Sequence, residues 1–202
     1  MKNKERKIYY IYAMPKITDQ NIEYNGFLKV EKAKIEFTDK QDKVQSFSRE
    51  RVNREDAAGV FIYNKESGNV ILTKQFRYAV ADKTKGLVLE IMAGKVSSGE
   101  DPLETALRET IEECGYKVKK ENINLIASVF TSPGYTSEKI YLYYAEVSND
   151  DRVNEGGGLE DEHEFIDVIE MPLKTLLNLV DNGDIQDSKT LLTALWVKVN
   201  KL

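Results

Sequence analysis

The 202-residue sequence predicts an α/β fold, a mixed sheet flanked by a few helices and preceded by an arm of β-strands. Three observations predict it. Short apolar or alternating runs separated by turn residues recur along most of the chain, as strands do. A stretch in the middle and two near the C-terminus instead carry helical periodicity between start and stop signals. The composition, 41% hydrophobic and 31% charged, is that of a globular chain large enough for one domain, or for a domain with an arm.

Taken in order, "NGFLKVEKAKIEFTD" (25–39) alternates over two short runs, and "VQSFSRERVNRE" (44–55) adds a third strand with Arg49 and Arg51 on one face. "AAGVFIYN" and "NVILTKQFRYAV" flank "KESG", a hairpin turn. "GLVLEIMAG" (86–94) reads as one buried strand ending in glycine. After the central helix come "NLIASVFTSPG" and "EKIYLYYAEV", then a last strand "EFIDVIEM" and the helices "PLKTLLNLVDNG" and "SKTLLTALWVKVN". In the central helix Asp101 or a neighbour is placed to cap, Pro102 occupies the first turn and Gly115 closes the end. Leu103, Ala106, Leu107, Thr110, Ile111 and Cys114 recur as its core-facing stripe.

Two rarities narrow the chemistry. A single cysteine, Cys114, and a single histidine, His163, exclude an intrachain disulfide, a thiolate zinc site and a histidine-rich metal site. A bound metal must then be held by oxygen, which selects Mg²⁺ or Mn²⁺, and a general base is expected to be a carboxylate. The net charge of −5 without a basic block argues against nucleic acid as the partner. No apolar run approaches the roughly 20 residues of a membrane span, and a cytoplasmic location is expected.

The central helix nevertheless gathers like charge. Glu109, Glu112 and Glu113 share one side. Arg108 lies four residues after Glu104 and is expected to pair with it, leaving those three uncompensated, with a divalent cation as the natural counter-charge. The backbone carbonyl of Ala93 comes within plausible reach of the same ion. The three glycines 156–158 have no following Lys-Ser/Thr and read as a flexible loop.

The full spacing resembles a known signature. Gly94, five residues, Glu100, seven residues, then Arg108-Glu109-Thr110-Ile111-Glu112-Glu113-Cys114-Gly115-Tyr116 matches the box of the Nudix hydrolases, with Thr110 where an aliphatic residue is usual. "KQFRYAV", "LEIMAGKV", "FTSPGYTSEKIYLYYAEV", "GGGLEDEHEFIDVIEMP" and "GDIQDSKTLL" extend the resemblance to the sugar-nucleotide branch of that family.

The resemblance implies an α/β/α sandwich at 56–202, an arm at 1–55 that crosses to a second subunit of a homodimer, and metal-dependent hydrolysis of a nucleoside diphosphate sugar. GDP-mannose, giving GMP and mannose 1-phosphate, is the expected substrate, with ADP-ribose and UDP-sugars as alternatives and a non-catalytic nucleotide sensor as the remote one. Glu109, Glu113 and the Ala93 carbonyl are implied as Mg²⁺ or Mn²⁺ ligands, Glu112 completes the acidic face, and Glu100, Arg108 and Gly115 brace the box. Arg77, Gly94, Asp161 and Lys189 are implied to hold substrate, Glu138 to line the sugar pocket, and Ser48, Arg49 and Glu50 of the arm to approach the nucleotide. A loop carboxylate after the glycines is implied as base or further metal ligand. About two extra residues leave that role to Glu162 when aligned from the left, the preferred reading, or to Glu164 from the right. Tyr135 stands where a glycine is common, which leaves the sugar open.

Overall fold

The computed structural model describes residues 14–39, 41–159 and 164–201. The chain divides into two compact units, residues 1–54 with 132–138, and residues 55–131 with 139–202.

The first unit is an antiparallel meander of β1 (Lys16–Asn25), β2 (Lys29–Thr38) and β3 (Val44–Asn53). The two short runs expected within 25–39 form one ten-residue strand, and β1 lies where the sequence reading assigned nothing. Asp39 shapes the β2–β3 turn, its carboxylate accepting from the backbone N–H of Gln41 and of Lys43. Residues 132–138 lie along β3, with Val52 N–H donating to the Tyr135 carbonyl and Ser137 N–H to that of Val52. Glu31 is the polar centre of the sheet and is only 5% exposed. It accepts hydrogen bonds from Gln20, Arg51 and Asn53 and lies beside Lys29. Asn53 and then Arg51 hold its carboxyl down at about 2.

The second unit is built on a seven-stranded mixed sheet. Its strands are β4 (Ala57–Asn64), β5 (Asn69–Phe76), β6 (Leu87–Glu90), β7 (Met92–Lys95), β8 (Ile123–Phe130), β9 (Lys139–Val147) and β10 (Ile166–Pro172). The order is β10-β5-β4-β9-β8, with β6 on β5 and β7 on β4, and only β4 and β9 run parallel. The helices are a short α1 (Ala81–Thr84), then α2 (Pro102–Cys114), α3 (Leu173–Asp181) and α4 (Ser188–Asn200). Side chains alternate across β4 and β9, so each face feeds its own core. Ala58, Val60, Ile62, Tyr143 and Ala145 pack with Ala106 and Cys114 of α2. Phe61, Leu142 and Tyr144 pack with Leu176 and Val180 of α3 and Ala194 and Val197 of α4. This is an α/β/α sandwich, and burial on both faces explains why "AAGVFIYN" reads as an unbroken apolar run.

The expected single strand over 86–94 is divided at Ile91. β4 and β5 pair only over Ile62–Asn64 against Asn69–Ile71, next to the Asn64–Gly68 turn, and beyond that they separate. β6 continues on β5 and β7 on β4, so the chain crosses the opening at Ile91. There the Ile91 N–H donates to Thr190 Oγ1 at the start of α4. Glu90 thereby meets Lys189 of α4, while the Gly94 backbone on β7 lies against Glu109 of α2. Among the described residues no helix is long and apolar enough to cross a membrane.

Glu31 generates a prediction. Its folded-state value of about 2 lies below the ordinary 4.5, so its contribution is complete above about pH 4.5 and is lost as pH falls towards 2. Amide protection factors along β2, taken relative to the intrinsic exchange rate at each pH, should fall over that acid window in the native protein. In Glu31→Gln they should already be low at pH 7 and change little with acid.

Candidate active site

Helix α2 supplies the centre of the site. Asp101 caps it by accepting from the Leu103 N–H, Pro102 fills the first position, and Gly115 leaves it at φ 78°. The Gly115 and Tyr116 N–H groups return to the carbonyls of Ile111 and Thr110. The buried side of the helix contains Glu109, 8% exposed, and Glu113, 2% exposed, among apolar neighbours.

Burial raises the Glu109 carboxyl to about 7, with Arg108 opposing and Glu112 and Glu164 adding to the rise. Burial also raises Glu113, to about 8, reinforced by the charges of Glu109 and Glu164 and opposed by Arg77. Glu113 Oε2 has no hydrogen-bond partner among the described residues. The Gly94 backbone lies so close that a Cβ there would overlap the Glu109 carboxylate.

Arg108 does not pair with Glu104, which is held by Lys120. It serves the box instead, meeting Glu112 at 2.7 Å, Glu109 at 2.8 Å and Glu100 at 3.7 Å. At 41% side-chain exposure each such pair contributes about 0–1 kcal/mol, against several kcal/mol for burying a carboxylate. Arg108 therefore does not offset the burial of Glu109, and it does not touch Glu113. Glu100 also accepts from the Ser97 N–H, which lowers its carboxyl and closes the loop into α2.

The three glycines form a clip against the end of α2 and not the flexible loop expected. Gly157 N–H donates to the Glu113 carbonyl at 2.9 Å and Gly158 N–H to that of Glu112 at 3.1 Å. Gly156, at φ 70°, lies against the Glu113 carbonyl, where a Cβ would not fit. The clip satisfies helix-terminal carbonyls and leads into Glu164, whose charge is felt at both Glu109 and Glu113. Asp161, Glu162 and His163 lie outside the described residues.

A basic half faces this acidic one. Arg77 follows β5 and donates Nε to Glu90 Oε1 at 2.7 Å. Lys189, in the first turn of α4, donates to Glu90 Oε2 at 2.8 Å and to Asp187 Oδ1 at 2.7 Å. Asp187 Oδ2 caps α4 by accepting from Thr190 N–H and Oγ1. Burial pulls the Lys189 ammonium down, but Glu90 and Asp187 outweigh it and hold it above the ordinary lysine range. Sequence reasoning found both cations and missed Glu90 and Asp187. The available signal was a lone carboxylate inside the apolar run "LVLEIM".

Four of the expected residues belong to the first unit. Arg49 lies over the Phe47 ring and donates to the Ser48 carbonyl, Glu50 pairs with Lys32, and Glu138 with Arg54.

Among the described residues no three His, Cys, Asp or Glu side chains are grouped to hold a metal ion. The pair Glu109 and Glu113 nonetheless fits a hard divalent cation. Its donors are oxygens, one buried oxygen is unpartnered among the described residues, and the Gly94 backbone lies against the Glu109 carboxylate without a side chain.

The chain matches the NUDIX domain over residues 53–193. It is 37% identical over 178 residues to the GDP-mannose pyrophosphatase of Cronobacter sakazakii (strain ATCC BAA-894), covering 87% of this chain and 90% of that protein. The GDP-mannose pyrophosphatase of Citrobacter koseri is 35% identical with the same coverage. That of Enterobacter sp. (strain 638) is 34% identical over 83% of this chain and 86% of its own length.

The raised carboxyls set the stability of the metal-free protein. Folded Glu113 keeps a proton that the unfolded chain releases above about pH 4.5, so stability falls as pH rises from there through about 8. In EDTA at pH 8, Glu113→Gln should melt roughly 5 °C above the native protein, and the difference should close by pH 5. Equal melting temperatures throughout that range would contradict the burial account.

Proposed function

This chain belongs to the NUDIX domain family, and on that premise we propose that it is a metal-dependent pyrophosphatase of nucleoside diphosphate sugars, acting on GDP-mannose. One observation carries the reading. Two buried carboxylates, Glu109 paired only with the half-exposed Arg108 and Glu113 with an oxygen unpartnered among the described residues, stand near two cations with unused donors, which is what a divalent ion and a diphosphate together complete.

Glu109 and Glu113 would hold Mg²⁺ or Mn²⁺, with the Ala93 carbonyl joining them. When bound, the ion supplies neutralisation of the diphosphate charge and a lower pKa for the attacking water. The chain's own side chains do the rest. Arg77 has its terminal amino groups unpaired among the described residues, a planar fork suited to phosphate oxygens. Lys189 has one N–H left after Glu90 and Asp187 and presents it at the N-terminal turn of α4. Glu162, or Glu164 if the alignment runs from the right, accepts the proton of the water as its oxygen bonds to phosphorus. The bridging P–O bond breaks, and GMP and mannose 1-phosphate each leave with one phosphate. Glu112, tied to Arg108, completes the acidic face and joins the loop carboxylate as a catalytic residue. Asp161 would assist on the sugar side of the loop.

We further propose a homodimer in which the arm brings Ser48, Arg49 and Glu50 to the partner's nucleotide, while Glu138 lines a sugar pocket. The support is the arm's surface: every residue of β1 is exposed, Ile17, Ile22 and Tyr24 among them, and Phe27 in the following turn is 94% exposed. The relatives' names favour GDP-mannose over ADP-ribose and UDP-sugars.

Chromatography of products from GDP-mannose, ADP-ribose, UDP-glucose and ADP-glucose with Mg²⁺ tests the activity. GMP should accumulate fastest, and Glu113→Gln should lower kcat at least about 100-fold while remaining folded. Preference for ADP-ribose would keep the mechanism and change the substrate. Hydrolysis of none of the four would overturn the reading. Sedimentation should give twice the 23.1 kDa chain mass.

A further inference from the structure

The ionic assembly at the separated strands has no counterpart in the box spacing, and its central residue is a carboxylate. We propose that Glu90 is a positioning residue. By dividing its two oxygens between Arg77 and Lys189 it fixes the spacing of the cations that receive a diphosphate, without touching the substrate itself. The inference rests on the reading of Arg77 and Lys189 as the diphosphate-holding pair.

Glu90 is 2% exposed and both its oxygens are engaged, so little of it is left to meet a ligand. The cations it joins come from separate parts of the chain, one after β5 and the other on α4. Each has a long side chain that loses up to about 2 kcal/mol of rotamer freedom when held still. A shared buried anchor ties that freedom down before substrate arrives, which is where preorganisation gains binding. The donor inventory agrees. Arg77 is gripped through Nε, which leaves the two terminal amino groups, and Lys189 keeps one of its three N–H bonds.

The anchor is itself held on two sides. The Glu90 carbonyl accepts from Thr73 Oγ1 on β5. The next peptide N–H, that of Ile91, donates to Thr190 Oγ1, which donates in turn to Asp187, the second partner of Lys189. A closed circuit therefore runs from Glu90 through Lys189, Asp187 and Thr190 back to Ile91. With Arg77, which branches from Glu90, the assembly contains two carboxylates and two cations, so it is neutral before a ligand arrives. Stability alone does not call for this arrangement. Buried ion assemblies are commonly matched or exceeded by apolar residues of similar volume, and Glu90 interrupts an apolar run.

The test compares the native protein with Glu90→Gln, with Arg77→Ala/Lys189→Ala, and with the triple variant. Two readouts are taken in Mg²⁺: KM and kcat for GDP-mannose, and calorimetric binding of methylenediphosphonate. A glutamine accepts from one cation and turns N–H groups toward the other. Glu90→Gln should therefore raise KM and weaken diphosphonate binding at least about tenfold, with a smaller fall in kcat. In the background lacking both cations the same change should alter kcat/KM less than about twofold, because nothing remains to position. Native KM in Glu90→Gln, or its full cost in the cation-free background, would overturn the proposal and leave Glu90 a structural residue. Glu90→Asp keeps the charge that balances the cations but is too short to hold both. It should show the same KM rise, and it supplies the readout if the glutamine variant does not fold. Failure of the native protein to cleave any nucleotide sugar would count against the functional reading alone. The diphosphonate comparison would then decide on Glu90 by itself.

Discussion

The site depends on a single physical constraint: two carboxylates are buried four residues apart on one helix, and one of them has an oxygen with no partner among the described residues. Burying an ionised carboxylate costs several kcal/mol after relaxation, and two together add mutual repulsion. A fold tolerates that only where the groups stay protonated or a cation joins them. Much of the surrounding structure is arranged about this pair. Gly94 has no side chain where one would displace Glu109. The glycine clip ties off the carbonyls of Glu112 and Glu113, so the end of the helix does not fray beneath the charges. Arg108 holds the exposed flank and leaves Glu113 untouched.

Opposite this pair the sheet opens. Because β4 and β5 pair over only a few residues, the chain crosses between them at Ile91 and delivers Glu90 to the base of α4. The acidic half of the site thus sits on the α2 face, and the cationic half spans the separated strands and the α4 terminus. The acidic half lacks positive charge, since Arg77 lowers the Glu113 carboxyl only in part, while the other half, balanced by Glu90 and Asp187, keeps unused N–H donors. A metal ion and a diphosphate relieve both at once, so one bound assembly answers the electrostatics of the whole site.

How much of this was legible in the sequence differs from element to element. The mixed sheet with flanking helices, the hairpin at Asn64–Gly68 and the caps of α2 follow from local pattern and were readable, whereas the sandwich followed from the family resemblance. Helical spacing also grouped Glu109, Glu112 and Glu113 on one side, and the family resemblance singled out Glu109 and Glu113 among them. Other features depend on tertiary placement. Arg108 was expected at Glu104, an equally good helical spacing, and only the approach of the Glu100 loop and the position of Lys120 decide otherwise. The glycines 156–158 read as loose because their hydrogen bonds go to a helix far back in the chain. Glu90 was passed over because its partners are at Arg77 and Lys189, and no local spacing connects the three. The break at Ile91 likewise reflects two neighbouring strands parting, which a strand's own sequence does not encode.

The claim that the buried pair awaits a cation is tested most directly by titrating Mn²⁺ into the protein in weak buffer while following water-proton relaxation and proton release together. Carboxyls held at about 7 and about 8 must give up protons to bind a metal. Saturation at pH 7 should therefore release between about one and two protons per chain, falling toward none by about pH 9, and Glu113→Gln should bind Mn²⁺ far more weakly. Binding without proton release, or equal affinity in Glu113→Gln, would contradict the account.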